Sequence, residues 1–427
     1  MIKNLSVLII VLFCVNTFAQ KTNTSPYSIL GIGEEISAKT VEEMSMGGSG
    51  TVGNYEYQLS FTNPATYSGF RLTTYSIAAQ NRGLTVKDAL TTQKSSNANL
   101  SYLVLGIPVG EKAGFAFGLQ PNTSVGYSIE NTILDSEGEV SEISLYEGDG
   151  GTNRVFLGAG YQVSESLSVG FEGDYVFGNI DNSIINQQRD VQLGTKYVTD
   201  TRVKGFGLKT GFLYKKDLKN DLYLSLGGSF ELENELESEG HEYLYSVSFT
   251  NGESPRDTIL NAASKGFYNK PMKTNLGVGI GKSKKWAASL DYSFQDKIEL
   301  GGNLLNRNPK LAFRKSSQLS LGGFYIPKYN SISSYWDRVI YRAGVRSQQT
   351  GIMVDGSGNG TQFNDVNDFG ISFGVGLPMS NEISRLNLGF EFGKRGTTDN
   401  GLIEESYFNF KLGLLLSNKW FRKREIN

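Results

Sequence analysis

The chain has 427 residues, a formal net charge of −2, 20% charged and 12% aromatic residues, 51 glycines and only 9 prolines. No basic surface favours nucleic acid, and no nucleic-acid partner is expected. Few charges and many Tyr and Phe exclude a disordered chain, and with scarce Pro they favour strands and turns over helices.

The first 19 residues read as a secretory leader. Lys3 supplies the positive start, residues 5–15 a short apolar core, and Thr17-Phe18-Ala19 a small-residue cleavage site. The alternative, a membrane anchor, needs a longer apolar run. Cys14, the one cysteine, lies inside the leader, and Leu12-Phe13 lack the small residues of a lipoprotein site. No disulfide or thiol chemistry is therefore expected in the mature chain.

Residues 20–68 do not alternate. They carry Gly31-Ile32-Gly33, Met46-Gly47-Gly48-Ser49-Gly50-Thr51 and Asn63-Pro64-Ala65. Glycines permit tight turns in a crowded interior, and Pro64 stops strand pairing and pushes Asn63 to extended geometry. An ordinary flexible N-terminal arm is the alternative.

From residue 69 onward, apolar and polar residues alternate with a period of two, which places one set on each face of a strand. Leu167, Val169, Phe171 and Tyr175 oppose Ser168, Gly170, Glu172 and Asp174; Phe408, Phe410, Leu412 and Leu414 oppose Asn409, Lys411 and Gly413. Fourteen such segments follow: 69–80, 97–108, 112–129, 152–162, 166–180, 197–214, 221–237, 272–281, 285–299, 315–327, 335–346, 367–377, 384–396 and 404–418. Most reach the ~9–11 residues a tilted strand needs to cross a bilayer, and no later stretch is apolar over ~18 residues.

Connections sort by parity. Short turns such as Gly110-Glu111, Ser164-Glu165 and Ser283-Lys284 follow the even strands, through Ser380-Asn381. Long connections, 81–96, 130–151, 181–196, 238–271, 300–314 and 347–366, follow the odd ones, with 397–403 the exception. Short periplasmic turns, long external loops and an even strand number describe a transmembrane barrel. Hydrocarbon offers bare strand edges no hydrogen-bond partner, so such strands must close into a ring. The fold expected is all-β: a 14-stranded antiparallel transmembrane β-barrel in the outer membrane, in contact with its lipids. Trp286, Trp336 and Trp420 all fall at the short-turn rim, the interface that amphipathic rings favour. A soluble, glycan-binding β-protein is a more distant alternative.

Catalytic chemistry is sparse. His241, the only histidine, falls in the 238–271 connection, so no enzyme, zinc site or cofactor is expected. The phosphate-loop look-alike at 277–283 lacks its first glycine at Leu276, and the calcium-loop look-alike starting at Asp355 has Val366 where a Glu is required. Arg338, Arg342 and Arg346 share one face by their spacing of four. They are expected in the lumen with Glu172, Asp174, Asp291 and Glu391, because a charge facing lipid at the midplane costs about 2–4 kcal/mol. Such charges either pair to hold the N-terminal segment or meet the carboxylate of an amphipathic ligand.

Met46 to Gly50, followed by Asn63-Pro64-Ala65 just ahead of the first strand, resembles the FadL-type outer-membrane transporters of long-chain fatty acids and other hydrophobic compounds. The resemblance implies a hatch inside the barrel over 20–68, a barrel over 69–427, and Gly31, Gly33, Met46, Gly47, Gly48, Gly50, Asn63, Pro64 and Ala65 as hatch or gate residues. It also implies a hydrophobic small-molecule ligand, an apolar pocket with few polar anchors, and a gap in the barrel wall. Asn54-Tyr55-Glu56 and the stretch 21–30 depart from the family pattern. Other barrels of this class serve an outer-membrane assembly such as the type IX secretion machinery. A non-transporting component of a secretion or envelope complex is thus the alternative; the basic tail Lys419-Trp420-Phe421-Arg422-Lys423-Arg424 reads first as a solvated terminus and second as a place where a partner would meet it.

Overall fold

The computed structural model describes residues 25–53, 59–89, 91–250, 252–304, 311–356, 360–379 and 384–418. The leader with Cys14, Asn54-Tyr55-Glu56, the Ser380-Asn381 turn, Trp420 and the basic tail lie outside these residues.

One short strand, β1 (Glu34–Glu35), belongs to the N-terminal segment; the others build a wall. They are β2 (Thr73–Lys87), β3 (Thr92–Val109), β4 (Ala113–Leu134), β5 (Val140–Gln162), β6 (Leu167–Gln188), β7 (Gly194–Asp217), β8 (Leu222–Glu231) with β9 (Asn234–Ser248), and β10 (Ser254–Lys270) with β11 (Lys273–Lys282). The wall continues through β12 (Trp286–Gln295) with β13 (Glu299–Gly302), β14 (Leu311–Phe313) with β15 (Ser316–Tyr325), β16 (Ile340–Asp355), β17 (Phe363–Pro378), β18 (Arg385–Gly396) and β19 (Glu404–Asn418). Each paired label is one interrupted strand. For example, Lys270 faces Asn234 in the register in which Lys273 faces Glu231. Fourteen antiparallel wall strands result, and the ring closes where β19 pairs with β2, from Asn418↔Thr73 to Glu404↔Lys87.

The two faces are inverted relative to a soluble protein. Leu157 and Phe373 of the apolar set are 59% and 50% exposed, whereas Glu172 and Lys209 of the polar set are 0% and 2% exposed. Only a lipid-covered exterior makes that arrangement stable.

Strands run further than the alternation indicates. β4, β5 and β7 have 22, 23 and 24 residues, against about 9–11 needed for the bilayer. Most of 130–151, 181–196 and 238–271, expected as loops, is therefore strand, and the connections shrink to 135–139, 189–193 and 249–253. Above the bilayer both faces are wet, so a polar strand carries no hydrophobic period while its backbone still pairs. His241 accordingly sits in β9 opposite Asp200, not in a loop. The phosphate-loop look-alike lies within β11 and its turn. Trp336 is exposed at the periplasmic rim, and Trp286 opens β12 there.

Candidate functional site

Residues 25–53 and 59–72 fold inside the ring. Thr40 and Glu43 form a capping box that starts a one-turn helix, α1 (Val41–Met44): the Thr40 hydroxyl accepts from Glu43 N at 3.1 Å and the Glu43 carboxylate accepts from Thr40 N at 2.8 Å. Asn63 caps a 3-10 turn (Pro64–Gly69) by accepting from Ala65 N at 3.0 Å, while its amide donates to the Thr51 and Phe212 carbonyls, both at 2.8 Å. Pro64 and Ala65 pack on Gly170 of the wall. Met46 is buried with Tyr223, Phe324 and Ile340, and Val41, Phe61, Tyr67 and Phe70 pack on wall residues Tyr102, Val104 and Phe156.

A ring of wall glycines makes room for this segment: Gly106, Gly114, Gly158, Gly170, Gly211, Gly227, Gly277, Gly322, Gly344, Gly374, Gly389 and Gly413. A Cβ on any of them would come within 3 Å of the segment, as close as 2.0 Å to Met46 O at Gly322 and 2.1 Å to Tyr67 O at Gly114. All lie near the periplasmic ends of their strands, so the segment forms a floor across that mouth. Within the floor, Gly33 and Gly47 hold φ of +96° and +68° and approach Ser124 O and Val345 O so closely that a side chain would clash at 2.5 Å. Gly31 lies against Leu300, Gly48 near Gln318, and Gly50 against the Glu43 carboxyl.

Charges tie floor to wall. Glu172 accepts from the Tyr67 hydroxyl at 2.8 Å and pairs with Lys209 and Arg154 at 3.2 Å each. Asp291 accepts from Gly50 N and Thr51 N at 2.8 Å. Arg342 donates to Asn387, which donates to Glu42 of α1 at 2.8 Å. Asp174 pairs with Arg154 on the wall, and Glu391 with Arg346 at 2.8 Å, without reaching the floor. Arg338 departs from the expected lumen row: β16 starts at Ile340, and Arg338 lies in the preceding 3-10 turn against the Tyr335 ring.

Among the described residues, β3 and β4 leave a gap in the wall. β3 and β4 pair only from Leu103↔Leu119 to Val109↔Ala113; beyond that they do not pair with each other. Pro121 and a register shift turn β4 away at this height. β1 pairs with the released β4 edge, Glu34↔Ser124 and Glu35↔Thr123, and Ile36 N donates to Asn122 O at 2.9 Å. Above the floor lies a cavity of about 260 Å³ lined by Glu34, Arg346, Asp368, Glu391, Arg395 and Lys411 among others. Apolar side chains, among them Leu30, Met44, Ile298, Phe313 and Ile352, share its lining with these charges. Elsewhere in the lumen Ile32, Tyr127, Ile180, Leu236 and Leu304 pack on one another.

A family model, BamG, matches residues 1–427. The chain belongs to the BamG family. No curated protein matches the sequence. Solved structures share the fold at low identity. The monoaromatic hydrocarbon channel CymD superposes with TM-score 0.59 at 16% identity, over 89% of this chain and 98% of that one. The Pseudomonas putida toluene transporter TodX gives 0.61 at 16%, over 91% and 100%, and a Pseudomonas aeruginosa FadL homologue 0.58 at 10%, over 88% and 97%. This BamG-family chain is thus an outer-membrane β-barrel of FadL type.

Several residues that hold the floor in this BamG-family chain were not singled out from sequence. Arg395 donates to Glu34 at 2.6 Å and to the buried Glu405, and Arg82 pairs with Glu34 at 3.1 Å. Lys209, Arg154, Asp368 and Tyr407 complete the lumen networks. The available signal was a charge in the polar set of an alternating strand, as at Lys411. The glycine ring carried the same signal, recurring near the periplasmic end of strand after strand.

Proposed function

We propose that this chain is a fixed component of an outer-membrane protein assembly, with residues 20–68 as a hatch that keeps the pore shut. The observation that supports this reading is an apolar cluster on the external tips. Ile133, Leu134, Val140, Ile143, Val191, Leu193, Phe249, Ile259 and Leu260 are all exposed. They lie on adjacent hairpins from β4 to β10, with Arg189 bridging to Asp135 and Lys196 to Glu253. From strand length and tilt, Val140 stands roughly 50 Å above the periplasmic rim, well beyond a ~25 Å apolar band. Apolar groups in water at that height fit a protein partner rather than lipid. The test is size-exclusion of mildly solubilised membranes. The wild-type chain should run in a large stoichiometric complex, and Leu134→Glu with Ile259→Glu should release a free barrel of unchanged heat-modifiable mobility. A wild-type chain that runs alone ends this reading.

The β3–β4 gap favours a second reading, a gated conduit for hydrophobic small molecules, long-chain fatty acids among them. CymD is described as a monoaromatic hydrocarbon channel and TodX as a toluene transporter, and a wall opening suits sideways release into lipid. Uptake of a fluorescent fatty acid by liposomes carrying the purified chain alone supports it, and uptake no faster than into empty liposomes removes it.

A further inference from the structure

The tall outer part of the wall ends in a bare strand edge. β10 pairs with β9 without a break from Leu260↔Leu244 to Lys270↔Asn234. On its other side β13 takes up only Gly266 to Asn269. Among the described residues, no strand pairs with Leu260 to Lys265 on that side. Lys265 O accepts from Asn303 N at 3.0 Å, so Lys265 turns its backbone towards the open side. By the alternation of a ladder, Ala263 and Asn261 do the same. The chain beyond β13 then leaves this edge. Leu304 is buried in the cluster of Ile32 and Leu236, and β14 resumes on β16 with Leu311↔Val354.

The edge is poorly defended. Thr258-Ile259-Leu260-Asn261-Ala262-Ala263-Ser264 carries no charge and no proline. Pro255 to Asn261 are all exposed, Ile259 by 61%. Natural sheets blunt such edges with Lys, Pro or bulges. Here Pro255 and two register shifts stand above the edge and Lys265 below it, while the ladder from Leu260 to Lys265 stays regular.

Two occupants do not fit. Lipid does not reach this height, because Lys204, Glu237 and Glu239 form an exposed ion-pair cluster with Lys265 beside the edge, and such charges do not face hydrocarbon. Copies of this chain insert the same way up in one membrane. Two β10 edges related by a two-fold along the membrane normal would cross at twice the strand tilt, about 70–90°, whereas laddered strands lie roughly 20–25° apart.

We propose that the β10 edge takes up an extended segment of another protein as an added strand. The inference rests on the assembly proposed above and gives it a mode of contact. The N–H and C=O groups of Asn261 and Ala263 join the incoming backbone, and the small Ala262 and Ala263 leave room on both faces for large apolar side chains. Lys265 sets the register against a carboxylate. Ile259 and Leu260 continue the edge into the external apolar cluster.

Ala263→Pro removes an N–H that faces the open side and spares the ladder to β9. In mildly solubilised membranes the wild-type chain should run in its complex. Ala263→Pro should lower the complexed fraction at least tenfold at unchanged heat-modifiable mobility, and Ala263→Thr should stay in the complex. Amide exchange over 260–265 should be at least tenfold slower in the purified wild-type complex than in the barrel stripped of partners by stronger detergent. That measurement decides if Ala263→Pro does not fold. A folded Ala263→Pro chain that stays in the complex, or equal exchange over 260–265 in complex and stripped barrel, overturns the added strand and leaves the assembly standing. A wild-type chain that runs alone removes both.

Discussion

The Tyr67 hydroxyl donates to Glu172 Oε2 at 2.8 Å, joining the floor of the barrel to a wall carboxylate 105 residues away. Glu172 is fully buried and shared with Lys209 and Arg154. Tyr67→Phe removes one charge-assisted bond and should cost about 1.5–3 kcal/mol. Glu172→Ala strands two buried cations and should cost about 3–5 kcal/mol. Denaturant midpoints read from the heat-modifiable band measure both. A Glu172→Ala barrel as resistant as the parent contradicts the role given to this network.

The glycine ring makes a steric prediction. Gly344→Ala places a methyl 2.2 Å from the Met46 carbonyl carbon and should lift the floor locally. Gly83→Ala, whose nearest neighbour is 3.8 Å away, should be neutral. Conductance in planar bilayers separates them: Gly344→Ala should raise the open fraction and Gly83→Ala should not. Equal traces from the two variants argue against the floor as the barrier.

Arg395 holds the upper part of the segment through Glu34, Glu405 and the Ser25 hydroxyl. Arg395→Gln leaves Glu405, 0% exposed, without its cation. Amide hydrogen exchange over 25–35 should quicken at least tenfold while the wall strands stay protected. Unchanged exchange there shows that Arg82 and packing suffice.

Acid should loosen the β1 region. Burial pushes the Glu35 carboxyl up, but Lys270 and Lys273 outweigh it and hold the group at about 2, below its ordinary 4.5. A depressed carboxyl contributes stability above the higher value and loses it as pH falls from about 4.5 towards about 2. The side chain is still 38% exposed, so solvent screening keeps the effect small. Exchange at 33–37 should quicken across that window in the parent, whereas Glu35→Gln should be fast already at pH 7. Identical pH profiles rule out this pair as the acid-sensitive clamp.

Within the membrane the wall strands were readable, because lipid on one face and a polar lumen on the other impose a period of two. Above it the pattern vanishes, so 238–271 reads as a loop although its backbone pairs over 238–248 and most of 254–270. Arg338 was misplaced because spacing of four preserves a face only while the strand lasts, and β16 begins two residues later.

From the sequence alone follow the fourteen crossings and the inward face of wall charges such as Glu172, Asp291 and Glu391, since each is a local response to solvent on one side of the chain. Only the tertiary structure decides which glycine meets which turn of the floor, that Asp291 receives Gly50 and Thr51, that Ile32 packs among Tyr127, Ile180 and Leu236, and that β3 parts from β4. Those relations depend on where ring closure sets each segment in height, and no local period encodes them.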